Sequence, residues 1–259
     1  MSAFINTAIK AAYLAANIIQ NSSRSLAKIK ITQKDNNDFV SDIDKSAEDV
    51  IIKTINKAYP NHNILAEESG FIDNNSDLTW VVDPIDGTTN FIHGNPNYSI
   101  SIALKDKGKV IHGVILDPNR NELYQASIGK GALLNDKRIR VSNNNLEHSL
   151  IATGFPAVDL TVIDKYLQIF KEITLKTSGQ RRMGSAALDL AYLANGVVDG
   201  FYEYSLKSWD VSAGILLVKE AGGIVTDFNG NTHTGLDGSI IAGNTKIINQ
   251  LQKIIQQYL

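Results

Sequence analysis

The feature that most narrows what this chain can fold into is acidic. Glu67-Glu68-Ser69, Trp80-Val-Val-Asp83-Pro-Ile-Asp86-Gly-Thr-Thr-Asn-Phe91 and Trp209-Asp210-Val-Ser-Ala-Gly214 carry carboxylates in short strings, the last far along the chain. Ile64-Leu-Ala66 and Leu78-Thr-Trp-Val-Val82 read as buried strands that deliver Glu67 and Asp83 at their ends, where α/β enzymes place their sites. A fold that gathers Glu67, Asp83, Asp86 and Asp210 builds up negative charge that only hard cations can offset. Oxygen-only ligands suit Mg²⁺ rather than zinc or copper. Gly87-Thr-Thr, following the last acid, offers backbone N–H groups to a phosphate. A carboxylate cage beside an anion-binding turn reads as a metal-dependent phosphatase.

Composition trims the alternatives. A chain of 259 residues buries a large core, as one domain or as two closely packed halves. A net charge of −2 with scattered basic residues leaves no footprint for direct nucleic-acid binding. The absence of cysteine excludes disulfides and thiolate metal sites, and a cytoplasmic location is expected. Segment 3–20 spaces Ile5, Ala8, Ala11, Leu14, Ala15, Ile18 and Ile19 by three and four, an amphipathic helix rather than a signal peptide. No apolar run reaches the roughly 18 residues of a membrane span, so no membrane role is expected.

Further along, Gln33-Lys-Asp-Asn-Asn-Asp38 reads as a mobile loop or hairpin tip. Ser41 can cap a second helix running to about Ala58, with Ala47, Val50, Ile51 and Ile55 inward and Pro60 beyond its end. Strands over 98–104, 109–116 and 121–127, turning at Gly108 and at Asp117-Pro-Asn-Arg-Asn121, suggest an antiparallel stretch. The pattern then changes: strand 149–153, helices 161–172 and 185–195, strand 197–203, helix 210–221 closed by Gly222-Gly223, strands 223–227 and 239–243, and helix 245–257. Asn143-Asn-Asn145 divides an N-terminal α+β half (1–145), carrying most of the acids, from a C-terminal α/β half (146–259) carrying Asp210. Both belong to one compact unit.

Together these strings resemble those of the inositol monophosphatase family, its bacterial members above all, over nearly the full length. Ala66-Glu-Glu-Ser-Gly70, Asp83-Pro-Ile-Asp-Gly-Thr-Thr-Asn-Phe91 and Trp209-Asp-Val-Ser-Ala-Gly214 leading to Glu220-Ala-Gly-Gly223 carry the resemblance. Ala152-Thr-Gly-Phe-Pro156 and Arg182-Met-Gly-Ser-Ala-Ala187 add to it. One pentapeptide alone is weak; all of them in order are specific. The resemblance implies the sugar-phosphatase fold, an αβαβα layered sandwich of α+β or α/β type with mixed and antiparallel sheets. It also implies a homodimer and lithium-sensitive, Mg²⁺-dependent hydrolysis of a phosphate monoester on a small polyol, myo-inositol 1-phosphate first.

By the same resemblance the site holds two or three Mg²⁺. Glu67, Asp83 and the Ile85 carbonyl would hold one ion, Asp83, Asp86 and Asp210 a second, and a weaker third would lean on Glu67 and waters. Asp44 and Thr88 match the pair that orients the nucleophilic water with Glu67. Gly87 and Thr88 would donate backbone hydrogen bonds to phosphate. Glu203, Ser185 and Ala186, preceded by Gly184, match positions lining the polyol, with Asp86 and Asp210 bordering the same substrate. Lys34 matches, to within a residue, a mobile-loop lysine.

The chemistry explains the residue types. Hydrolysis of a phosphate monoester dianion is among the slowest uncatalysed reactions. Paired cations can act on both the attacking water and the leaving oxygen, and they need a shared ligand, for which Asp83 is the candidate. Pro84 fixes the backbone after it, and Gly87 removes a Cβ that would obstruct a phosphate. Direct attack by water is expected. The chain has no cysteine nucleophile, and Asp42-Ile-Asp44, although spaced like an aspartyl-phosphate motif, sits at a helix start.

Each residue also has a plainer reading. Asp83-Pro-Ile-Asp-Gly can be only a β-turn, Glu67-Glu68 a solvated strand end, and Asp210 a helix cap. Asp44 divides between a structural and a catalytic role. Glu203 can be a strand-end surface charge and Lys34 a solvated one. Arg181-Arg182 suits a dimer contact, the rim of the site or plain exposure. The five histidines show no ligand spacing and read as structural or exposed. Two functional alternatives accompany the leading one. The first is a related sugar or nucleotide phosphatase acting on fructose-1,6-bisphosphate, histidinol phosphate or 3′-phosphoadenosine 5′-phosphate, although Thr88-Thr89-Asn90-Phe91 favours the inositol branch. The second is a regulatory protein on a phosphatase fold, with a protein partner in an RNA-related complex.

Overall fold

The computed structural model describes residues 2–23, 31–35, 38–156 and 160–259. Helix α1 (Ala3–Ser23) packs against α2 (Asp42–Ala58). Between them β1 (Ile31–Asp35) and β2 (Asp38–Ser41) pair antiparallel, placing a hairpin where the sequence suggested a loop or hairpin tip. Lys34 falls on β1, and its side chain lies outside the described set. A reciprocal cap starts α2: Ser41 Oγ accepts the N–H groups of Ile43 and Asp44, while Asp44 Oδ2 accepts that of Ser41 at 2.9 Å. Ala47, Ile51 and Ile55 are buried at helical spacing; Val50 is half-buried.

Strands β3 (Asn63–Ala66), β4 (Gly70–Ile72) and β5 (Leu78–Asp86) precede the short helix α3 (Thr88–Ile92). A meander follows: β6 (Ser99–Asp106), β7 (Lys109–Asp117), β8 (Glu122–Ser127), β9 (Gly131–Leu134) and β10 (Lys137–Arg138). These strands form an eight-stranded sheet, β10-β9-β8-β7-β6-β5-β3-β4, in which β3 and β5 are the parallel pair. Lys107 and Gly108, both at positive φ, make the tight turn between β6 and β7.

The rest of the chain alternates: β11 (Leu150–Thr153), α4 (Ile163–Thr174), β12 (Gly179–Arg181), α5 (Ala186–Ala194), β13 (Gly200–Leu206), α6 (Ser208–Glu220), β14 (Ile224–Thr226), β15 (Gly238–Gly243) and α7 (Thr245–Gln256). Its mixed sheet runs β12-β11-β13-β15-β14. Helices α1 and α2 cover the outer face of the large sheet, α5 and α6 lie between the sheets, and α4 and α7 cover the small sheet. The result is the expected αβαβα layered sandwich.

Position in the layers explains composition. Every residue of α5 is buried, because sheet lies on both sides of it. In contrast α7 buries only Ile247, Ile248, Leu251, Ile254 and Ile255, one stripe of an outer helix. The middle layer joins Val81, Ile115 and Tyr124 of the large sheet to Leu190 and Leu217 of the helices and Phe201 and Ala242 of the small sheet. Residues on both sides of Asn143–Asn145 therefore share one apolar cluster. Among the described residues no helix is long and apolar enough to cross a membrane.

Candidate active site

The register of β3 on β5 makes the first contact. Ala66 lies opposite Val82, and Glu67 continues the ladder by donating its N–H to Val82 O at 3.2 Å. Glu67 and Asp83 therefore stand side by side where β3 ends. Glu48 of α2, itself buried, accepts the Glu68 N–H at 2.8 Å and holds that turn.

Strand β5 does not end at Val82, as the sequence suggested, but runs through Asp86. Asp83 pairs with Ser101 and Asp86 with Ser99, so three steps on β5 face two on β6. Side chains alternate along a strand, and residues three apart would face opposite ways. The extra residue of the bulge returns both acids to one side. Pro84 sits within that irregular stretch, where its missing N–H costs no ladder bond.

Asp210 arrives from the middle layer. It is the third residue of α6 rather than its cap, and its Oδ2 accepts the Lys207 N–H at 2.7 Å. Ser101 Oγ donates to Trp209 O at 3.2 Å and ties the start of α6 to β6 beside Asp83. Carboxylate oxygens of Asp83, Asp86 and Asp210 lie within 4.8 Å of one another, an arrangement that could hold a metal ion. Glu67 is in hydrogen-bond contact with Asp83. All four acids, with Ile85, Gly87, Thr88 and Gly184, line one cleft of about 180 Å³.

The electrostatics follow from this crowding. Asp83 is 1% exposed, and its Oδ1 has no hydrogen-bond partner among the described residues. Burial, and then the charges of Glu67, Asp86 and Asp210, push its carboxyl well above the usual range. Burial and the Asp86 charge do the same to Asp210. Burial pushes Asp86 up to about 6, although Ser185 Oγ and the Ala187 N–H both donate to its Oδ2. An orphaned buried oxygen in an all-oxygen donor set fits a hard divalent cation.

Thr88 stands at the start of α3. Its Oγ1 lies 2.9 Å from Asp44 Oδ1 and 3.0 Å from the Ile85 carbonyl. Asp44 thus has the structural role, its Oδ2 capping α2, and its Oδ1 is placed to accept from Thr88. Gly87 has φ +99°, a region that favours glycine. A Cβ there would stand 2.9 Å from Gly184 O and 3.0 Å from Asn97 O. Packing against protein, beyond room for a ligand, demands this glycine.

Ser185 caps α5, its Oγ accepting the Leu188 N–H, and so hands Asp86 the N-terminal end of that helix. Glu203 lies within β13, not at its end, and the surface-charge reading fails. Its carboxyl packs so tightly on Gly154 that a Cβ there would fall 1.8 Å from Oε1. Burial and the Asp86 charge push Glu203 up to about 8, with Arg182 opposing. Arg182 lines the cleft, and both Arg181 and Arg182 are exposed.

Two contributions escaped the sequence. Asn90 was quoted only as part of a string, and Ser99 and Ser101 had no signal beyond their place opposite Asp86 and Asp83. The histidines stay outside the cleft: His62 accepts from Trp80 Nε1, His112 pairs with Ser127, His233 accepts from the Gly235 N–H, and His93 and His148 are exposed.

Comparison with known proteins agrees with this geometry. The inositol monophosphatase family matches residues 1–258. The Nus factor SuhB of Pseudomonas aeruginosa is 46% identical over 265 residues, spanning all of this chain and 98% of that protein. Among solved structures, the extragenic suppressor protein suhB of Bartonella henselae superposes with a TM-score of 0.96 at 42% identity, covering 100% of both chains. A Thermotoga maritima IMPase gives 0.91 at 35% identity, covering 99% of this chain and 98% of its own. With its acidic strings, layered fold and convergent carboxylates, this chain belongs to the inositol monophosphatase family.

Proposed function

We propose that this protein hydrolyses a phosphate monoester on a small polyol, myo-inositol 1-phosphate in the first place, with two or three Mg²⁺ in its acidic cluster. The observation that carries the reading is Asp83 Oδ1, buried beside three further acids with no hydrogen-bond partner among the described residues. Ions held by Glu67, Asp83, Asp86, Asp210 and the Ile85 carbonyl would supply Lewis-acid charge to the attacking water and the leaving oxygen. The rest falls to the chain itself. Thr88 donates its hydroxyl proton to Asp44 and leaves its lone pairs free to accept from a water, which Glu67 orients from the other side. The N–H groups of Gly87 and Thr88, at the start of α3, face the phosphoryl oxygens. Gly184, Ser185, Ala186 and Glu203 line the polyol beside Asp86 and Asp210. Water attacks directly, with no phosphoenzyme.

The family match supports this substrate class. Fructose-1,6-bisphosphate, histidinol phosphate and 3′-phosphoadenosine 5′-phosphate are its rivals within the same chemistry. We assign the protein to the cytoplasm as a lithium-sensitive homodimer, each protomer built of halves 1–145 and 146–259. The name Nus factor carried by the Pseudomonas relative favours a second reading, in which the same fold also docks a protein partner of an RNA-related regulatory complex. The test is a Mg²⁺-dependent phosphate-release panel over inositol 1-phosphate and the three rivals, with and without Li⁺. Preferential, lithium-inhibited release from inositol 1-phosphate supports the first reading. Absence of release from every substrate leaves the second.

A further inference from the structure

Asn90 follows the anion-binding turn, lines the same cleft and is 8% exposed, and its side-chain hydrogen bonds among the described residues go to groups other than the four acids. Its side-chain amide bridges separate parts of the chain. Nδ2 lies 2.7 Å from Asn97 O, 2.8 Å from Met183 O and 3.3 Å from Gly184 O, while Oδ1 accepts from Asn95 Nδ2 at 3.1 Å. Two amide hydrogens satisfy the two short contacts, and the third carbonyl shares one of them. The fit is tight from both sides. A Cβ on Gly184 would stand 2.8 Å from Asn90 Nδ2, and one on Gly87 would stand 2.9 Å from Gly184 O. The far side is anchored too, because Arg120 donates to Asn97 Oδ1 at 3.2 Å and pairs with buried Asp117.

We infer that Asn90 is a positioning residue that sets the 183–185 loop against the Gly87–Thr88 turn, and so fixes the distance between the phosphate and polyol ends of the substrate. The inference rests on the proposed function for which ends those are. Neither close relative of asparagine meets the geometry. Aspartate offers acceptors where three carbonyls need donors, and glutamine is a methylene too long for the gap against Gly184.

The test compares Asn90→Ala, Asn90→Asp and Asn90→Ser with the wild-type protein by two independent readouts. Hydrogen exchange of backbone amides 182–185 should rise about tenfold in Asn90→Ala, with amides 83–86 unchanged. KM for inositol 1-phosphate should rise about tenfold while kcat and the inhibition constant of inorganic phosphate stay within about twofold. Asn90→Ser, keeping one donor, should fall between, and it replaces any variant that does not fold. Unchanged exchange overturns the inference. A parallel loss of kcat and phosphate affinity also overturns it, since that is the mark of a general structural role. If the wild-type protein hydrolyses no polyol phosphate, the functional reading fails and the exchange measurement still decides the clamp.

Discussion

Asp117 and Asp83 lie on β7 and β5, the two neighbours of β6, at 0% and 1% exposure, yet their surroundings are opposite. Asp117 is ringed by donors: the N–H groups of Asn119 and Arg120 at 2.8 and 3.0 Å, and Arg120 Nη1 at 2.9 Å. Asp83 is ringed by acids, and one of its oxygens has no partner among the described residues. Equal burial therefore says nothing about role. An acid whose acceptors are filled by its own fold closes a turn. An acid left unfilled destabilises the bare protein and is completed only by something that binds.

Exchanging the roles of the two acids breaks the comparison most sharply. Asp83→Asn should lower kcat/KM for the preferred phosphate ester about a thousandfold in a Mg²⁺-supplemented assay. Stability in chelator should rise, because a repelled charge is gone. Asp117→Ala should do the reverse, costing about 3 kcal/mol in urea denaturation through its lost charged hydrogen bonds while kcat stays within about threefold. An Asp117 variant as inactive as the Asp83 one would erase the distinction.

Metal and proton linkage come next. A hundredfold excess of Mg²⁺ over its dissociation constant should stabilise the protein by about 3 kcal/mol in thermal melts, and by much less in Asp83→Asn. In chelator the raised carboxyls favour the fold when protonated. Their contribution is full below pH 4, where the unfolded acids are also protonated, and is lost as pH rises through about 6 for Asp86 and about 8 for Glu203. Melting temperature should then fall between pH 5 and 8, less steeply in Asp83→Asn.

Smaller effects sharpen the assignment within the cleft. Thr88→Val, which removes the hydroxyl beside Asp44, should reduce kcat about a hundredfold with little change in Mg²⁺ affinity measured by calorimetry. Glu203→Gln should shift the ratio of kcat/KM between inositol 1-phosphate and a non-inositol ester by about tenfold or less. An unchanged ratio would remove Glu203 from the polyol side.

The acids were readable from the chain because apolar runs ending in carboxylates are rare and local. Their convergence was not. Strand alternation alone sends Asp86 to the wrong face, and only the bulge against Ser99 and Ser101 turns it back. Asp117 was visible as a turn but not as a buried acid, since Arg120 and the neighbouring N–H groups close on it only in the fold. The partners of Asn90 include carbonyls in the 183–184 loop, so no local pattern could announce them. Strands β4, β9, β10 and β12 span two to four residues each and carry too little periodicity to read.

The claim beneath all of this is that Glu67, Asp83, Asp86 and Asp210 bind divalent ions jointly. Crystals grown in chelator and soaked in Mn²⁺, a hard divalent stand-in with an anomalous signal, measure that directly. The account predicts anomalous peaks among these four carboxylates, with Asp83 touching more than one. A map with no peak there, in crystals whose four acids are well ordered, would contradict it.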